Sequence, residues 1–196
     1  MKRNRILKKL LLVACLLFAG IPSAQGNTDE LSLYHDNFFR WFMASGWMGD
    51  VKDLAFNSAS TENPYSGKTC VKVHYNAKMS YSNGWAGIYW QYPVNNWGAL
   101  EGRHHLKGMG RLTFFARGQN GGEKMIFRVG GIVGPKHGDS DTAVLEVVLT
   151  PRWKQYQINL AGKDLSHIIG GFNVTAKAKE NPNGATIYLD DIVFTR

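Results

Sequence analysis

Short runs that alternate between apolar and polar residues recur along almost the whole chain, each followed within a few residues by glycine, asparagine or proline. Successive side chains of an extended strand point to opposite faces. Such alternation therefore marks strands with one face on a core and the other in water. On this pattern strands are predicted at Trp41–Met43, Leu54–Phe56, Cys70–Tyr75, Trp85–Tyr92, Arg111–Arg117, Lys124–Gly130, Ala143–Leu149, Lys154–Leu160, Gly171–Thr175 and Thr186–Phe194. Ser66-Gly67, Asn83-Gly84, the run from Gly118 to Gly122, Gly134-Pro135 and the run from Asn181 to Gly184 supply turns between them. Helical periodicity is confined to Lys163–Ile169, room for a single turn. Many short strands joined by glycine-rich turns pack as stacked antiparallel sheets, and the expectation is an all-β, two-sheet jelly-roll sandwich.

The first 26 residues read differently. Lys2, Arg3, Arg5, Lys8 and Lys9 precede an apolar run from Leu10 to Ile21, and Pro22, Ser23, Ala24 and Gly26 follow. That order is the charged region, apolar region and small-residue cleavage site of a secretory signal peptide. The apolar run has 12 residues, short of the roughly 20 that a membrane span requires. A rival reading takes Leu12, Val13, Ala14 and Cys15 as a bacterial lipoprotein box, with lipid on Cys15 tethering the domain to a membrane. The expected organisation is a leader at 1–26, a lead-in at 27–35 and one domain at 36–196, working in the periplasm or outside a bacterial cell. Some 170 residues suffice for a real core.

Removing the leader changes the charge argument. Its five basic residues leave 18 Lys and Arg against 15 Asp and Glu, a net charge of +3. The apparent basicity thus belongs to the leader, and a nucleic-acid reading loses its support. Cys70 is left without an intrachain partner and is read as a small buried side chain.

The segment from Tyr81 to Trp97 is the densest in aromatics and amides. Sugars present faces of C–H bonds that stack on aromatic rings and hydroxyls that pair with amides, so Trp and Tyr edged by Asn and Gln suit a carbohydrate. Alternation puts Trp85, Gly87, Tyr89 and Gln91 on one face and Ala86, Ile88, Trp90 and Tyr92 on the other. The second face is the more apolar, which assigns Trp90 to the core. The candidate ligand-binding residues are Trp47, Tyr81, Trp85, Tyr89, Gln91, Asn95, Asn96 and Trp97. The competing reading of each ring is as filling between sheets, and of Asn95 and Asn96 as turn residues.

Leu112-Thr113-Phe114-Phe115-Ala116-Arg117-Gly118, the stretch Trp153–Leu160 and the closing Tyr188–Phe194 resemble strands of carbohydrate-binding modules with the galactose-binding-domain-like jelly roll. That resemblance implies a non-catalytic sugar-binding domain. It also implies a structural calcium ion held by Asp190, with Asp36, Asp50 or Asp53 as partners. Asp190 and Asp191, as successive strand residues, are expected to face opposite ways and so not to form a catalytic pair. The loop Gly138–Thr142 is read as a solvated turn. No Gly-x-Ser-x-Gly, His-Glu-x-x-His or Cys-His arrangement occurs. The alternatives are an envelope structural or assembly protein using the same aromatics against a protein partner, and a glycoside-active enzyme, for which Glu123 and Glu146 would have to meet.

Overall fold

The computed structural model describes residues 29–102 and 106–196; the leader and Cys15 lie outside the described residues. The strands are β1 (Glu30–His35), β2 (Phe38–Phe39), β3 (Met43–Gly49), β4 (Leu54–Ser60), β5 (Cys70–Tyr75), β6 (Trp85–Gln91), β7 (Arg111–Gly118), β8 (Lys124–Gly130), β9 (Thr142–Val148), β10 (Lys154–Asn159), β11 (Gly170–Lys177) and β12 (Ala185–Thr195). They form two antiparallel sheets. The seven-stranded sheet runs β10-β7-β12-β1-β2, with β5 pairing the first half of β12 and β4 pairing β5. The five-stranded sheet runs β3-β6-β11-β8-β9. An all-β two-sheet sandwich is thus what the alternation specifies. Among the described residues no helix is long and apolar enough to cross a membrane.

Three expectations need correction. Within the expected lead-in at 27–35, Glu30–His35 is strand β1, hydrogen-bonded to the end of β12. Its Leu33 and Tyr34 are fully buried, so the domain begins before residue 36. Lys163–Ile169 makes no helical turn; its Leu165 and Ile168 are buried in the core instead. Finally, Asp190 and Asp191 do not diverge. A register shift on β12 after Asp190 and a φ of 44° at Asp191 turn both carboxylates to one loop, where Asp190 accepts from the Ser66 N–H and Asp191 from its hydroxyl.

The core is aromatic at its centre. Phe114, Phe127 and Phe172 have ring centroids 4.6 to 5.8 Å apart, and Trp90 meets Phe172 edge-on at 5.3 Å. Phe114 comes from the seven-stranded sheet and the other three from the five-stranded sheet, so this cluster ties the two layers. Cys70 is also fully buried, outside that core cluster and close to Asp190, Arg117 and Ser60. Burial, with the nearby Asp190 charge adding to it, pushes its thiol up to about 11. The thiolate is the reactive form. Cys70 in the folded protein is therefore expected to resist a thiol reagent at neutral pH and to react fully once denaturant is added. Rapid labelling of the native protein would contradict this placement.

Candidate functional site

Alternation on β6 puts Ala86, Ile88 and Trp90 in the core and aims Trp85, Gly87, Tyr89 and Gln91 out of the five-stranded sheet. Strand register then gathers partners from four other strands. Met48, Gly87, Thr175, Ile126 and Glu146 lie in one row that crosses all five strands. On one side of it runs the row Gly46, Tyr89, Asn173, Arg128 and Val144. On the other side, Trp85 stands beside Lys177 and Lys124 beside Val148.

The middle row is low because Gly87 has no side chain; a Cβ there would meet the Thr175 hydroxyl at 2.6 Å and the Met48 methyl at 3.2 Å. Tyr89 and Arg128 stand on one side of this row and Trp85, Lys177 and Lys124 on the other, which makes it a shallow groove perpendicular to the strands. At its β8–β9 end it deepens into a depression of about 230 Å³ lined by Lys124, Ile126, Glu146, Val148, Lys177 and Glu180, among others. Five strands spaced by about 4.8 Å make a floor of roughly 19 Å.

The Tyr89 side is raised by two loops. Asp139, half-buried among backbone donors, accepts from the N–H groups of Ile132, Ile169 and Gly170, which clamps the loop 131–141 down on the sheet. This is a structural clasp, where a solvated turn was expected. Its neighbour, the loop 93–100, packs so closely that a Cβ on Gly98 would fall 2.2 Å from Gly134. Trp97 rides on this second loop, edge-on to the Tyr89 ring at 6.2 Å and 37% exposed.

The expected ligand residues therefore separate. Trp85, half-buried at the start of β6, and Trp97 border the groove. Tyr89 faces the same way but is buried beneath the loops, its hydroxyl donating to the Gly130 carbonyl. Gln91 and Asn96, expected to meet a ligand, are buried supports. Gln91 donates to the Asn96 carbonyl and accepts from Ser45. Asn96 caps its own loop, accepting from the Gly98 and Leu100 N–H groups. Asn95 is a turn residue with a φ of 57°. Trp47 is on the wrong side of the sheet: a register shift between Ala44 and Gly46 pairs it with the inward-facing Ile88, and its ring packs edge-on to Phe56. Tyr81 is exposed on the loop before β6, with the Lys52 ammonium over its ring.

That loop owes its shape to Asp50, which is fully buried and accepts from the N–H groups of Tyr81, Asn83 and Gly84. Burial alone pushes the Asp50 carboxyl up, but the Asn83, Tyr81 and Gly84 donors outweigh it and hold it below the ordinary value. A carboxyl lowered on folding contributes stability that is present above its unfolded value and is lost as pH falls through the folded one. Thermal stability is accordingly expected to fall below about pH 4, with a shallower fall in Asp50→Asn. An unchanged slope in that variant would contradict the role of Asp50.

Sequence reading missed Arg128, Thr175 and Lys177 and named Glu146 only for a catalytic pair; all four sit on distant strands and reach the groove only through register. Among the described residues Arg128, Lys177 and Glu146 belong to none of the ion pairs, and Arg128 interacts with the Tyr89 hydroxyl. Glu123 and Glu146 do not meet: Glu123 is buried against Gly118 with its Oε1 on the Asn120 N–H, whereas Glu146 lies on the exposed face.

The aspartates proposed as calcium ligands are not gathered at one point. Asp50 serves the loop before β6, while Asp190 accepts from the N–H groups of Tyr65, Ser66 and Asp191. Asp36 accepts from Lys68 and Thr69. Asp53, also buried, accepts from Ser80. Among the described residues no three His, Cys, Asp or Glu side chains come close enough to hold a metal ion together.

No protein-family model matches the sequence, and comparison with curated proteins finds no match. The fold does match solved structures. A family 30 carbohydrate-binding module from a cellulosomal cellulase of Clostridium thermocellum superposes with a TM-score of 0.57 at 14% identity, covering 85% of this chain and 96% of that one. A family 11 module from Clostridium thermocellum, in complex with a β-1,3-1,4-mixed-linked tetrasaccharide, gives 0.53 at 12% identity, covering 85% and 95%. A xylan-binding domain from Paenibacillus barcinonensis gives 0.51 at 14% identity, covering 85% and 95%. This chain is similar to them in its β-sandwich fold.

Proposed function

We propose that this chain is an exported, non-catalytic protein that binds a linear polysaccharide in the groove across its five-stranded sheet. The observation that carries the reading is the groove itself: a row that crosses every strand, dips at Gly87 and deepens between β8 and β9, bordered by Trp85 and Trp97 and carrying Lys177 and Glu146 outside any ion pair. Aromatic rings at the border stack on sugar faces, and charged and hydroxyl groups hydrogen-bond to sugar hydroxyls. The likeness in fold to modules that hold a mixed-linked tetrasaccharide or xylan supports the same class of ligand. The leader supports export, which would place the domain where such polymers are found.

Electrophoresis of the protein through native gels containing soluble mixed-linked β-glucan or xylan tests the proposal. Retardation by at least one polymer, relative to a polymer-free gel, is the expected outcome. Equal mobility in every gel across a panel of plant and bacterial polysaccharides would overturn it.

A further inference from the structure

The outer face of the seven-stranded sheet carries a second aromatic arrangement, unrelated to the groove and on the opposite side of the sandwich. Alternation on β7 aims Thr113, Phe115 and Arg117 away from the core, and register sets Gln155 beside Phe115 and Gln157 beside Thr113. The loop 61–69 folds back over this face and lays Tyr65 flat on Phe115, centroids 3.5 Å apart and planes within 13°. Stacking covers one face of the Tyr65 ring, yet the residue stays 45% exposed, so its other face is open to water. The Trp153 ring stands at 66° to it, 6.1 Å away, and forms a wall beside that open face.

The loop is fixed from below and at both ends. Buried Asp190 accepts from the Tyr65 and Ser66 N–H groups, and Asp36 from those of Lys68 and Thr69. The Trp153 indole N–H donates to the Asn63 carbonyl at 2.9 Å, and Arg117 donates to the Glu62 carbonyl at 2.8 Å. The Arg117 guanidinium in turn lies between the Tyr188 and Trp153 rings, 3.7 and 5.3 Å from their centroids. If this loop served only as a cover, an apolar side chain on Phe115 would suffice. Here a polar-tipped ring is instead held rigid in the open, with a perpendicular indole on one flank and exposed Gln155 and Gln157 on the neighbouring edge strand.

We infer that the corner between Tyr65 and Trp153 is a second carbohydrate contact, shorter than the groove and taking one sugar ring or the end of a glycan. The open face of Tyr65 stacks on the ring C–H groups, Trp153 bounds the sugar laterally, and the two glutamines are within the same strand neighbourhood for its hydroxyls. Because the ring is already immobilised, binding costs little ordering entropy. Two contacts on opposite faces let one protein bridge two polysaccharide chains, or gain avidity on a dense surface. The inference shares a ligand class with the groove but none of its residues.

The test is an NMR titration of the ¹⁵N-labelled protein with the β-1,3-1,4-mixed-linked tetrasaccharide up to millimolar concentration, reading the indole N–H resonances. The Trp153 resonance is expected to move with its own, weaker saturation curve, separate from those of Trp85 and Trp97. Tyr65→Ala should weaken that second curve by about tenfold or more and leave the groove resonances titrating as before. Tyr65→Phe, which keeps the stacking ring, should preserve both curves. A Trp153 resonance that stays fixed throughout overturns the second contact whatever the groove does. Fixed Trp85 and Trp97 resonances with a moving Trp153 would overturn the groove for this sugar and leave the second contact standing.

Discussion

Replacing Trp85 and Trp97 together by alanine is expected to weaken polysaccharide binding by about 100-fold or more, while thermal unfolding moves by only a few degrees. The two rings border the groove from different supports, Trp85 from the start of β6 and Trp97 from the loop clamped over Tyr89. Anchor side chains at binding surfaces are each worth roughly 2 kcal/mol or more, about 30-fold in affinity. Both residues keep part of their surface in water, so their loss opens no large cavity in the core. Calorimetric titration alongside a melting curve separates the two effects. An affinity unchanged in the double variant would mean that the ligand is not held by these rings.

The largest effect on stability is expected from Phe172→Ala. Phe172 is fully buried at the centre of the aromatic cluster, touching Trp90, Phe114 and Phe127. Removing a buried phenyl ring costs the transfer energy of the lost atoms and leaves a cavity, about 3–5 kcal/mol together. In a domain of this size the melting temperature should fall by roughly 10 °C. Denaturant unfolding measures the loss directly. A cost below about 1 kcal/mol would show that the sheets do not depend on this cluster to stay together.

How far the residues announced this structure differs from one element to the next. The faces of β6 were legible, because a period of two within one strand is a local property: Ile88 and Trp90 point in, Trp85 and Tyr89 point out. Local patterning could not show that Tyr89 is roofed over, since part of the roof is the loop 131–141, more than 40 positions further along the chain and locked by Asp139. Trp47 was misplaced for a related reason. One extra residue in β3 reverses the facing of everything after it, and nothing in Ala44-Ser45-Gly46 declares a bulge. β1 was overlooked because its stability derives from pairing with β12, more than 150 positions away in the chain. For Asp190 the sequence offers a carboxylate beside another carboxylate; only the fold reveals backbone N–H donors aimed at it. The groove as a whole was illegible for the same reason, since Arg128, Thr175 and Glu146 meet Gly87 only once the strands are in register.

The central claim is that the ligand is a chain of sugars lying along the groove, and its length dependence tests this most directly. A floor of roughly 19 Å accommodates about four linked rings. Titration calorimetry with mixed-linked or xylan oligosaccharides of increasing length should show affinity rising with each added ring up to about four and levelling off beyond. The same affinity for a single sugar as for the longest oligomer would contradict the groove as the site.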